Sequence, residues 1–158
     1  MLEPQNKISK KALKVWRLSG VLISAASWVA VAILCTVTII FNWDQWIIFG
    51  SVLFCCAETY LFVKLFPDMK WKRWRYEVRE SEIEIQSGIW VITRTLVPMV
   101  RVQHVETEQG PLLRKYNLAS VKISTAATLH EIPALEMLEA DELRHRISRL
   151  ASVEEEDV

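Results

Sequence analysis

Glu58 interrupts an apolar run from Trp46 to Phe66 whose only other charge is Lys64, close to its end. A carboxyl group in such surroundings is costly to keep ionised and is by default a functional candidate. It could serve as a proton-coupled site or meet a lipid headgroup; equally, it could be a protonated, hydrogen-bonded contact between helices. Counted back from the short turn that precedes the run, an antiparallel neighbour puts Ser24 and Ser27 beside it, where their hydroxyls could satisfy it. The other reactive residue types form no constellation. His104, His130 and His145 fall on different elements, so neither a triad nor a three-histidine metal centre follows from them. Cys35, Cys55 and Cys56 offer no CxxC or Cys/His spacing and no disulfide framework; Cys55 and Cys56 read most simply as small apolar helix residues. Paired carboxylates, a glycine-rich phosphate loop and HExxH or GxSxG patterns are not found. The expectation is a protein that is not an enzyme, with no catalytic residue, no metal and no cofactor.

The elements that would hold Glu58 are two long apolar segments. Hydrophobic residues make up 51% of the chain, high for a purely soluble fold. Leu18 to Phe41 carries no charged residue, and as a helix of about 24 residues it reaches about 36 Å, enough to cross a bilayer. Trp46 to Phe66 covers roughly 31 Å at the same rise. Only Asn42, Trp43, Asp44 and Gln45 separate the two, which makes them antiparallel neighbours. The first segment is too long for the apolar core of a cleaved signal peptide and is followed at once by a second, so a retained hairpin is expected.

Charge then sets sidedness. The chain balances nineteen basic against nineteen acidic residues, which gives no bulk field for nucleic acid. Its cations are nevertheless clustered: Lys7, Lys10, Lys11, Lys14 and Arg17 precede the first segment, and Lys64, Lys70, Lys72, Arg73 and Arg75 end or follow the second, while the turn has none. The positive-inside bias puts both termini in the cytoplasm and the turn outside, in a multi-pass protein of a cell membrane. Trp43 and Trp46 would then lie at the outer interface and Trp16, Trp71 and Trp74 near the inner one.

After Pro67 and Asp68, which are expected to break the helix, short stretches alternate with a period of two. Trp74, Tyr76 and Val78 alternate with Arg73, Arg75, Glu77 and Arg79, and Ile83 and Ile85 with Glu82, Glu84 and Gln86, each strand having one face to bury. Glu80 with Ser81 and Ser87 with Gly88 mark turns, and Ile89 to Leu96 reads as a third strand before Pro98. Further strands are expected around Val100, Val102 and Val105, at Val121 and Ile123, and from Leu129 to Ile132. Gln109 to Tyr116 reads as a short helix or turn, because Gly110 and Pro111 suit a helix start. A closing amphipathic helix is expected from about Glu136 to Leu150, with Ala140, Leu143, Ile147 and Leu150 on its buried stripe. The tail Glu154, Glu155, Glu156, Asp157 has nothing to bury and is expected to be disordered.

Val97 to Ala127, VPMVRVQHVETEQGPLLRKYNLASVKISTAA, followed by HEIPALE, resembles the bacterial pleckstrin-homology (bPH2-type) domain of the YdbS-like bacterial membrane proteins. Arg101, Gln103, Val105, Gln109, Gly110, Pro111, Leu112, Arg114, Leu118, Val121, Ile123, Thr125 and Ala126 carry that resemblance. Asn117 stands where that family usually has Gly, a mild departure because Asn tolerates the left-handed region. The resemblance implies an α+β membrane protein: a two-helix transmembrane hairpin, then a PH-like antiparallel β-barrel of two roughly orthogonal sheets capped by a C-terminal α-helix. It also implies no established catalysis and, often, a larger relative with several such domains. The organisation is then a basic cytoplasmic segment at 1–17, the hairpin at 18–66, the cytoplasmic PH-like domain at 69–151 and the acidic tail at 152–158.

Three sets of residues are candidates for binding. Lys10, Lys11, Lys14, Arg17, Lys70, Lys72, Arg73 and Arg75 could hold anionic lipid headgroups or could only set topology. Lys72, Arg73 and Arg75 are placed on the first strand of the barrel but do not reproduce the phosphoinositide signature of eukaryotic PH domains. Glu58, Ser24 and Ser27 are the intramembrane polar group. Arg101, Gln103, His104 and Arg114 could line a protein-docking edge or an anion site; otherwise they are solvated strand positions plus an arginine bonded to carbonyls of the Gln109 to Tyr116 turn. The first functional expectation is a subunit or scaffold of a membrane complex, whose partner is a larger PH-domain membrane protein of the same family. The second is a component of a lipid-handling or envelope-stress system contacting lipid through Glu58 and the basic collar.

Overall fold

The computed structural model describes residues 4–156, in two compact units: residues 16–69, and the residues on either side of them. In the first unit, α1 (Lys11–Ile40) contributes most of its length and is followed after a tight turn by α2 (Trp46–Tyr60). The turn needs Asn42 in the left-handed region, at φ 49°, which Asn tolerates better than most residues. Both helical stretches, Lys11–Ile40 and the continuous Trp46–Arg73, are long and apolar enough to cross a membrane. Gly20, Ser24 and Thr38 are buried on α1, and Ser27, Val31 and Leu34 are half-buried. These positions recur at alternating spacings of four and three, the seam of two helices packed side by side. Val21, Ile23, Val29, Ile33, Phe49 and Phe54 lie exposed away from that seam, the arrangement expected of side chains that face lipid.

Pro67 does not end the second helix. Leu61–Leu65 is a π-turn, in which the Phe66 N–H bonds the carbonyl of Leu61, five residues back, and α3 (Phe66–Arg73) continues beyond it. Proline is tolerated in the first turn of a helical segment, and the wider π-turn before it re-phases the hydrogen bonds that its ring would otherwise block. The expected break at Pro67 and Asp68 is therefore corrected, and with it the place of Lys72 and Arg73, which lie on α3 and not on a strand.

The second unit holds two antiparallel sheets. One has the order β1 (Asn6–Lys7), β2 (Arg75–Val78), β3 (Glu82–Ser87) and β4 (Thr93–Pro98); the other has β5 (Val102–Glu108), β6 (Leu118–Thr125) and β7 (Leu129–Glu136). Among the described residues they do not close into one hydrogen-bonded barrel. Between β5 and β6, α4 (Pro111–Lys115) starts with Gly110 at its cap and Pro111 in its first turn, as the sequence predicts. Asn117 follows with φ 55°. Pro133 is accommodated because β7 is an edge strand. A register shift in the β6–β7 ladder and Ala134 at φ 54° re-aim that strand. The core is Ile83, Val97, Met99, Leu118, Ile123, Ile132 and Leu135, covered by Ala140, Leu143 and Ile147 of α5 (Met137–Glu156).

Three strand expectations change. β1 was not foreseen; two residues of the basic N-terminal segment add an edge to the first sheet. β4 begins at Thr93, so Ile89–Ile92 form the hairpin tip in place of the start of a strand. The β3–β4 register from Glu82↔Pro98 to Ser87↔Thr93 leaves these residues outside the ladder, and Gly88 at φ 134° makes the bend. β3 buries both faces, since Glu84 and Gln86 are buried as well as Ile83 and Ile85. Both polar groups are partnered: Arg79 meets Glu84 at 3.2 Å, and Gln86 donates to the Arg73 carbonyl and accepts from Arg94. At the C-terminal end α5 extends to Glu156, so the backbone expected to be disordered is helical that far; Asp157 and Val158 lie outside the described residues.

Candidate functional site

Within the hairpin, the Ser27 hydroxyl donates to Glu58 Oε1 at 3.0 Å, and between the next residues along each helix the Trp28 indole N–H donates to Thr59 at 3.1 Å. Ser24 is buried, and its hydroxyl has no hydrogen-bond partner among the described residues. The structure thus brings Glu58 to Ser27 and leaves Ser24 out of the pair. The helices approach closely at Gly20: a Cβ there would sit 2.5 Å from the carbonyl oxygen of Phe62, inside the π-turn. Glycine is required at that position because backbone fills the space a side chain would take.

The basic candidates do not form one site. Arg17 is ion-paired with Asp68 at 2.8 Å and Lys11 with Glu136 at 3.0 Å. Lys10 is exposed in the turn before α1, Lys14 and Lys72 are exposed on their helices, and Lys70 is half-buried on α3. Arg73 donates to the Trp90 carbonyl at 3.5 Å. Arg75 begins β2, opposite Lys7 and Gln86.

Of the third set, Arg101 and Gln103 line a groove of about 490 Å³ with Leu96, Pro98, Val100 and Thr128. The groove lies where edge strand β4 passes through a 3-10 turn (Met99–Arg101) into edge strand β5, beside the β6–β7 turn. His104 is exposed outside it, with Nδ1 2.5 Å from the Gln103 carbonyl, and Arg114 is exposed on α4. The side chain that reaches a carbonyl beside α4 is Gln109, which donates to Leu118 O at 2.8 Å. Two other polar contacts fasten α5 to the first sheet: Tyr76 donates to Glu139 at 2.7 Å, and Arg146 to the Val78 carbonyl at 3.1 Å. Burial, then the hydrogen bond and charge of Glu139, raise the Tyr76 phenol above its ordinary range. The Arg79 guanidinium is held more firmly protonated by Glu77 first, with Glu82 and Glu84 adding to it. The sequence pattern predicts none of these contacts of Gln109, Tyr76 and Arg146, since each partner is remote or unmarked along the chain. Among the described residues no group of three His, Cys, Asp or Glu could hold a metal ion.

The family model of the bacterial PH domain matches residues 14–151. The chain belongs to that family. It is 55% identical over 158 residues to the UPF0699 transmembrane protein YdbS of Bacillus subtilis (strain 168), covering 99% of this chain and 98% of that one. It is 24% identical over 83 residues to the UPF0699 transmembrane protein YdbT of the same organism, covering half of this chain and 17% of that protein. No solved structure matches. This bacterial PH-domain protein is therefore a membrane protein of α+β class, with two apolar helices, antiparallel sheets and a closing helix.

Proposed function

We propose that the chain is a non-enzymatic subunit or scaffold of a membrane complex. The hairpin anchors it with both termini in the cytoplasm and the Asn42 to Gln45 turn outside, and the PH domain docks a larger membrane protein that carries related PH domains. The observation that carries this reading is the groove at Leu96, Val100, Arg101 and Gln103, flanked by two strands that end their sheets. Edge strands leave backbone donors and acceptors open to an added strand, and exposed Leu96 and Val100 supply apolar contact beside them. The partial match to a longer transmembrane protein supports a partner of that kind. The Ser27–Glu58 bond supports a helix-packing role for Glu58 over a lipid or proton site.

Purification of the full chain in nanodiscs tests the proposal. A stoichiometric PH-domain membrane partner, lost on Val100→Glu with Arg101→Glu, is the expected result; a lone monomer holding lipid overturns it. For sidedness, reagents that cannot cross the membrane should fail to label residues after Pro67 in intact cells.

A further inference from the structure

The β3–β4 hairpin ends in an exposed apolar tip. Trp90 and Val91 are each 77% exposed and Ile92 is 50% exposed. A soluble surface rarely shows three adjoining large apolar side chains at a turn without a partner. The tip is held to α3 by the hydrogen bond from Arg73 to the Trp90 carbonyl. Arg73 is the last residue of α3, in the helical stretch that continues the second span along the chain.

Charge along the first sheet is segregated toward the same end. Lys7, Arg75, Gln86 and Arg94 stand opposite one another across four strands, a row with three cations and no carboxylate. The acidic residues of the sheet, Glu77, Glu84 and Glu82, lie toward its other end, where Arg79 gathers them. Lys7 and Arg94, exposed on the outer strands of this row, are the cations that an anionic surface at the tip would meet.

We infer that Trp90, Val91 and Ile92 insert into the lipid–water interface of the leaflet from which the second span emerges, with Lys7 and Arg94 against anionic headgroups. Trp is the residue type best suited to that depth, with its ring in the acyl boundary and its N–H wet. Cations close to an anionic leaflet strengthen such contacts. The insertion would hold the PH domain against the membrane and orient its groove. It rests on the anchored, cytoplasmic reading above, and the test separates the two.

The test uses the full chain with Cys35, Cys55 and Cys56 replaced by Ala, reconstituted in vesicles of phosphatidylcholine with or without phosphatidylglycerol. An environment-sensitive fluorophore is attached to Val91→Cys, to Ser81→Cys at the opposite turn, or to Phe54→Cys in the span. The inference expects the position-91 probe to shift blue and be quenched by bromolipids, more strongly with phosphatidylglycerol. The position-81 probe should behave as in water, and Lys7→Gln with Arg94→Gln should remove the lipid-charge dependence at position 91. If the position-54 probe is quenched and the position-91 probe emits as in water, the tip inference fails while the anchor stands. If the position-54 probe is not quenched, the anchor fails. A blue shift at position 91 without bromolipid quenching would mean a protein contact and would overturn the lipid assignment.

Discussion

Ser27 on the first helix of the hairpin donates its hydroxyl to a carboxylate oxygen of Glu58 on the second, at 3.0 Å. In lipid such a bond adds modest stability, about 0.6 kcal/mol on average and up to about 1.7 kcal/mol. Ser27→Ala should therefore cost roughly 0.6 kcal/mol in detergent-titrated unfolding of the hairpin. Glu58→Gln retains an oxygen acceptor but cannot titrate, and should keep both assembly and phenotype. Loss of phenotype in Glu58→Gln with the fold intact would restore the ionisation role.

Gly20 lets the first helix pass close to the Phe62 backbone of the second. Gly20→Val puts branched carbon against the Phe62 carbonyl, and overpacking of this kind costs about 1–3 kcal/mol. The unfolding midpoint should fall well below that of Gly50→Val, since a Cβ at Gly50 would meet nothing within 4 Å. Equal midpoints for the two variants would show that the hairpin does not pack through Gly20.

Tyr76 makes the PH domain sensitive to alkali. Its phenol is raised by burial and by Glu139, so the folded state holds the proton more tightly than the unfolded chain does. The stabilisation is fully present below the unfolded value of about pH 10 and is lost as pH rises from there through the folded value. Tyr76→Phe should flatten that alkaline loss and cost about 1 kcal/mol at neutral pH by removing the hydrogen bond. Near-ultraviolet circular dichroism during thermal unfolding at neutral and alkaline pH reads both effects.

Gly88 sits at φ 134°, and a Cβ there would collide with the Val91 carbonyl. Strain of this kind costs about 1–3 kcal/mol. Gly88→Ala should lower the thermal midpoint and loosen the β3–β4 turn, seen as faster hydrogen exchange at Ser87 and Thr93. Gly110→Ala, with open space for a Cβ, should leave exchange at those two residues unchanged.

The sequence alone determined what depends on composition and short-range pattern. Two uncharged or nearly uncharged stretches joined by four residues can satisfy their backbone in lipid only as helices, so the hairpin and the neighbourhood of Ser27 and Glu58 were legible. Gly110 with Pro111 placed α4, and the three- and four-residue spacing of Ala140, Leu143 and Ile147 placed the buried face of α5. Tertiary structure decided what depends on partners distant in the chain. Two residues pair as β1 because β2 offers an edge, and Glu84 and Gln86 are buried because Arg79, Arg94 and the Arg73 carbonyl receive them. Pro67 stays helical because the π-turn ahead of it adjusts the bonding pattern, and Ile89–Ile92 project because the β3–β4 register excludes them. In each case a local preference yields to hydrogen bonds and packing made across the fold.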